Sequence, residues 1–175
     1  ELLKRLGAGE TIDQVAGGEG WDRATFDDWW TGLVTSRLPD SESTLEVGVE
    51  AEVRIVRDDR GIPHVLAGND VDLFVGFGLA MAQDRLFQLD YLRRKGLGRL
   101  AEILGSDGLE IDLIARTVGL NRIAAAHWED LPEETRRLTE AFASGINAHI
   151  DSLPEEGWPV EFDLLDYRPE PFSGV

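Results

Sequence analysis

A chain of 175 residues with 34 Asp and Glu against 17 Lys and Arg has a formal charge of −17 at pH 7. That balance excludes nucleic acid and anionic membrane surfaces as natural partners, because both reward a positive face. Its content of 42% apolar and 29% charged residues is a globular profile, and the absence of cysteine excludes disulfides and thiolate zinc sites.

No stretch approaches the ~20 apolar residues that a membrane-spanning helix needs. The chain begins at Glu1 with no signal-like segment after it, so any targeting segment is expected to be removed or never present, and the compartment stays open. Residues 1–44 read as an acidic helical extension and linker. Leu2, Leu3 and Leu6 start a short helix that Gly7 and Gly9 end, and Thr11 can cap a second piece. A further helix fits Trp21–Val34, with Phe26, Trp29, Trp30 and Leu33 at helical spacing. Helix, glycine turn and helix resemble a DNA-binding unit, but residues 1–50 carry eleven Asp/Glu against four Lys/Arg, and such modules need a basic face. The polar stretch from Pro39 to Thr44 is expected to be the linker.

From Val47 the pattern changes to period two: Val49, Ala51, Val53 and Ile55 alternate with Glu50, Glu52 and Arg54, which predicts a half-buried strand. Asp58–Gly61 is a turn into a second extended piece, Ile62–Ala67, in which Pro63 lacks a donor, so the strand is expected to be an edge or to pair only after it. His64 reads as a packed or hydrogen-bonded residue. Asn69 or Asp70 caps a long central helix, Val71–Lys95. Gly76 and Gly78 sit inside it at about 1 kcal/mol each relative to alanine, so their face should press closely on another element. Because the helix begins apolar on every side and this chain looks short of apolar cover, that face is expected to lie against another polypeptide. A phosphate-loop reading of GFGLAM fails for want of a third glycine and a preceding strand.

Past its midpoint the helix becomes amphipathic. Asp90 and Arg94 form an i,i+4 pair worth about 0.2 to 0.5 kcal/mol if exposed. Gly96 and Gly98 end the helix, and Arg99–Leu104 makes another short one. Ser106 or Asp107 is expected to cap a helix near Leu109, with a longer one running through Ala115 to Trp128 and His127 at the surface. Pro132 with Glu133 and Glu134 is a strong helix start, followed by a face of Leu138, Ala141, Phe142, Gly145, Ile146 and His149. Val160, Phe162 and Leu164 alternate as a short extended piece. Nucleophile elbows, HExxH and calcium loops are absent from the sequence, and the three histidines show no triad spacing.

The segments RIVRDDRGIPHVLAGN, GFGLAMAQDRLFQLDYLRRKGLGRLAEILG, AFASGINAHI, WPVEF and RPEPF, in order over residues 52–175, resemble the α chain of the penicillin acylase family of N-terminal nucleophile hydrolases. The resemblance implies an α+β fold: a mainly helical α chain (residues 45–175) contributing to an αββα sandwich completed by a separate β chain. It implies hydrolysis of an N-acyl amide through an acyl-enzyme, with the nucleophile and its amine base at the start of a β chain cut from the same precursor. No catalytic or metal residue is carried onto this chain. The resemblance implies no cofactor for the chemistry, allows a structural calcium ion in the αβ complex, and puts pocket and calcium residues after Val175. It gives Asp84, Arg85, Gln88, Arg94, Gly98 and Glu102 a scaffold role at the chain interface. The partners implied are the β chain and a small N-acyl amide, without nucleic acid or membrane, and relatives are often exported. On residues alone, a non-enzymatic helical interaction module is the competing reading.

Overall fold

The computed structural model describes residues 1–45 and 48–174, with Leu45 described by its backbone alone. Two compact units emerge, and they cut the chain differently from the division at 44/45 read from sequence. One combines Glu1–Leu38 with Leu153–Pro169, and the other combines Pro39–Ser152 with the stretch from Glu170.

In the first unit, α1 (Leu2–Gly7), α2 (Ile12–Gly18) and α3 (Arg23–Thr35) form where local signals put them. Thr11 builds a capping box with Gln14, and Asp22 caps α3 by accepting from Thr25 N at 2.8 Å. Val15, Ala16 and Phe26 make the core, with Trp21, Trp29 and Trp30 packed around them. Residues 153–169 close the unit. Arg37 donates to the Trp158 carbonyl at 2.6 Å and to Asp163 at 2.9 Å.

In the second unit, β1 (Glu42–Leu45), β2 (Val53–Arg57) and β3 (Pro63–Leu66) form an antiparallel sheet in the order β1-β2-β3, with Ser43 opposite Ile55 and Ile55 opposite Val65. The expected linker therefore supplies a strand, and β3 with its proline lies at an edge as the sequence suggests. Val47, where the alternation was expected to begin, lies outside the described residues. Val49 and Ala51 precede β2 rather than belonging to it. The amides of Glu50 and Ala51 donate to the Asp72 carboxylate at 2.9 and 3.0 Å, which removes them from any strand ladder.

The long helix α4 (Asp70–Leu97) starts at Asn69, whose side chain accepts from Asp72 N. It is broken at Arg85 (φ −143°, ψ 25°) and ends at Gly98 in the left-handed region. The helices α5 (Ala101–Leu104), α6 (Leu109–Val118), α7 (Leu120–Asp130) and α8 (Glu133–Ser152) follow. Gly119 at φ 78° splits the expected continuous helix into α6 and α7, and neither Ser106 nor Asp107 caps α6, whose preceding residue is Gly108 after a 3-10 turn. The last helix, α9 (Val160–Leu164), belongs to the first unit and replaces the expected extended piece. Three alternating apolar residues do not decide between the two conformations; burying Phe162 completely does.

The glycine face of α4 is covered within this chain, contrary to the expectation of a partner polypeptide. A Cβ at Gly78 would fall 2.0 Å from the Phe142 carbonyl oxygen, and one at Gly145 would fall 1.9 Å from that of Val75, so α4 and α8 cross with their backbones touching. Gly76 faces the sheet, where a Cβ would lie 2.5 Å from Val53 Cγ1. The expectation counted large side chains as the only cover, whereas a helix backbone brought close by glycine covers just as well.

Candidate functional site

The interrupted helix α4 carries two polar clusters. At the break, Arg57 from β2 reaches across to Asp84 (2.9 Å), to Gln83 (3.1 Å) and to the Gly61 carbonyl (3.1 Å), and Gln83 in turn donates to Ser43 on β1. The Arg57 side chain is buried while that of Asp84 is 30% exposed, so the pair lies at the edge of the solvent. Arg85 and Gln88 stand on the exposed side of the break and reach each other at 3.3 Å. His149, on α8, is mostly buried, and desolvation pushes its pKa down to about 4 against the pull of the Asp84 carboxylate.

The second cluster closes the end of α4. Asp90 is fully buried and accepts from Arg93 and, at 2.8 Å, from Arg94 Nε. The expected i,i+4 pair of Asp90 and Arg94 therefore forms, and it is buried rather than exposed. Arg94 continues to Glu102 at 2.8 Å, and Arg99 grips Glu102 and Glu170 with paired donors at 2.7 to 2.8 Å. Arg93 also donates to the carbonyls of Glu170 and Pro171, both at 2.8 Å, and stacks over the Phe172 ring at 3.9 Å. Asn147 of α8 accepts from Phe172 N and donates to its carbonyl. Residues 170–172 are thus a strap tied to α4, α5 and α8.

Gly98 lets this corner turn. Its carbonyl accepts from Arg116 Nε at 2.8 Å, and a Cβ there would meet Arg116 Cγ at 2.7 Å. Buried Asp112 of α6 accepts from the amides of Leu100 and Ala101 at 2.7 and 2.8 Å and so serves as the cap of α5.

Of the six residues singled out from sequence, Arg94, Gly98 and Glu102 come together at this corner. Asp84 joins Arg57 elsewhere, and Arg85 with Gln88 remains apart at the surface. Asp72, Asp112, Arg57 and Glu170 were missed. Asp72 had a local signal, three residues after the capping Asn69; the others pair with residues distant in sequence.

Electrostatically the corner holds and does not trade protons. Arg99 keeps the Glu170 carboxyl down at about 2 and Glu102 below the usual carboxylate range, while the two carboxylates raise Arg99 further. Among the described residues, His64 is exposed with Nε2 3.5 Å from Asp58, and His127 is exposed too. No three His, Asp or Glu among the described residues are grouped to hold a metal ion.

His149 yields a pH prediction. Its folded pKa of about 4 lies below the ordinary 6.5, so the unfolded chain takes up the proton first as pH falls. Stability is full above about pH 6.5 and declines toward pH 4, by roughly 2 kcal/mol at pH 4.5. Urea midpoints at pH 7 and 4.5 should show this fall, and His149→Gln should remove most of its own share of it.

The sequence matches the penicillin amidase family over residues 52–175. It is 38% identical over 137 residues to penicillin acylase 2 proenzyme of Pseudomonas sp. (strain SE83), an alignment covering 78% of this chain and 17% of that protein. Penicillin G acylase of Escherichia coli is 37% identical over 70% of this chain and 15% of its own length. Acyl-homoserine lactone acylase QuiP of Pseudomonas aeruginosa is 30% identical over 97% of this chain and 19% of its own, a match that takes in the N-terminal helices. The chain therefore spans less than a fifth of the length of these relatives. A solved structure, thermostable penicillin G acylase from Alcaligenes faecalis in tetragonal form, is similar with a TM-score of 0.60 and 33% identity, over 70% of this chain and 66% of that one. With a match over well more than half of its residues, the chain belongs to the penicillin amidase family.

Proposed function

We propose that this chain is the non-nucleophile α chain of a heterodimeric amidase that hydrolyses a secondary N-acyl amide. The acyl-enzyme forms on the N-terminal nucleophile of a β chain released from the same precursor, and the two chains complete an αββα sandwich. The observation that carries this reading is the family match over residues 52–175 in a chain whose polar clusters are spent on internal ion pairs. Penicillins and acyl-homoserine lactones, named in the relatives, share an N-acyl amide, which supports this substrate class.

In this reading Asp84, Arg94, Gly98 and Glu102 hold the scaffold in shape, and Arg85 and Gln88 are exposed toward the junction with the β chain. The residues described here do not suit the calcium ion of the family, because the clustered carboxylates are engaged by arginines.

The test uses the full-length precursor. Denaturing mass spectrometry should give two chains, a chromogenic N-acyl anilide should release its amine, and phenylmethanesulfonyl fluoride should block release by labelling the chain that does not contain these residues. A single unprocessed species without amine release favours the non-enzymatic helical module instead, and label on this chain overturns the assignment of the nucleophile.

A further inference from the structure

The helix α6 is built the wrong way round for a surface helix. Its inward side carries Asp112 and Ala115, both buried, while Leu109, Leu113, Ile114 and Val118 are 53 to 68% exposed. An ordinary surface helix turns its apolar stripe inward and its charges out. The inversion has a local cause: Asp112 must face inward to cap α5, and Arg116 must reach the Gly98 carbonyl. Leu113 and Ile114 are then carried outward by the helical period. Next in the chain, α7 has no buried residue and leaves Leu120 and Ile123 44 and 45% exposed. Six large apolar side chains on two consecutive helices are thus left to solvent.

We propose that the α6–α7 face is a further surface on which the β chain docks, centred on Leu113 and Ile114 and additional to the junction at Arg85 and Gln88. This rests on the two-chain reading above. Two observations select the occupant. The chain spans 15 to 19% of its relatives' length, so most of the polypeptide in proteins of this family lies outside it and is joined to it in the precursor. A second copy is disfavoured, because each brings a formal charge of −17.

Photo-crosslinking tests this in the full-length processed protein. p-Benzoylphenylalanine is installed in place of Ile114 or, as a control, in place of Glu140, an exposed polar position on α8. Two chains without irradiation test the reading on which the inference rests. With two chains present, the Ile114 position should give about tenfold more α–β crosslink than the control, since interface cores exclude solvent and rims do not. Equal crosslinking at the two positions, or crosslinks only between copies of this chain, overturns the docking face while leaving the two-chain reading intact. A single unprocessed chain overturns both.

Discussion

Replacing Gly145 by alanine is expected to unfold most of the unit built on α4 and α8 at temperatures where the parent protein is folded. The new Cβ would sit 1.9 Å from the Val75 carbonyl oxygen and 2.9 Å from Leu79 N. Both are backbone atoms of a long helix, so no side chain can rotate away; the two helices must separate by more than an ångström. Separation loosens everything that packs in the same seam, including Val75, Leu79, Ala141 and Ile146, all buried. Overpacking of this kind costs about 3 kcal/mol or more where the neighbour is rigid. Gly78→Ala, aimed at the Phe142 carbonyl at 2.0 Å, should behave in the same way. Gly96→Ala is the control, because it lies in α4 with nothing within 4 Å of its missing Cβ. It should be neutral or gain up to about 1 kcal/mol in helix propensity. Thermal melting of the full-length protein reads all three. A Gly145→Ala protein that melts with the parent would show the α4–α8 crossing to be wrong.

Asp90→Ala should be nearly as damaging, for an electrostatic reason. Asp90 is completely buried between Arg93 and Arg94, and the Arg94 side chain is itself only 7% exposed. Removing the carboxylate leaves buried guanidinium charge with reduced compensation, a change that costs about 3 to 5 kcal/mol when one partner of a buried pair is lost. Removing both partners should cost less than the sum, since the stranded charge goes too. Urea unfolding of Asp90→Ala, Arg94→Met and the double variant makes a double-mutant cycle whose coupling should be about 2 kcal/mol or more. Single variants within about 0.5 kcal/mol of the parent would mean the pair is solvated, as an exposed i,i+4 pair would be. The same corner holds residues 170–172, so loss of Asp90 should also free the strap and expose the Phe172–Asn147 amide to hydrogen exchange.

What local chemistry decides was readable in advance. Thr11 caps α2 and Gly98 closes α4 where the sequence put them, Asn69 rather than Asp70 is the cap that opens α4, Gly96 lies inside α4 instead of ending it, and Pro132 stands just before α8, which starts at Glu133. The edge position of β3 follows from Pro63 in the same way. The wording of residues 52–175 is specific enough to carry the family resemblance, and the family match covers the same residues.

What the tertiary structure alone decided is which groups meet across long separations. The sequence marked Gly76, Gly78 and Gly145 as sites of close approach, but not that α4 meets α8 and the sheet of its own chain. It showed Asp90 and Arg94 one turn apart, while their burial depends on α5 and the strap at Glu170. Asp112 gave no local sign of capping α5, and because it does so, α6 turns Leu113 and Ile114 outward. Helix ends are set by hydrogen bonds spanning a few residues, which a sequence displays. Burial is set by the sum of everything that folds over a residue, and that sum exists only once the chain has come together.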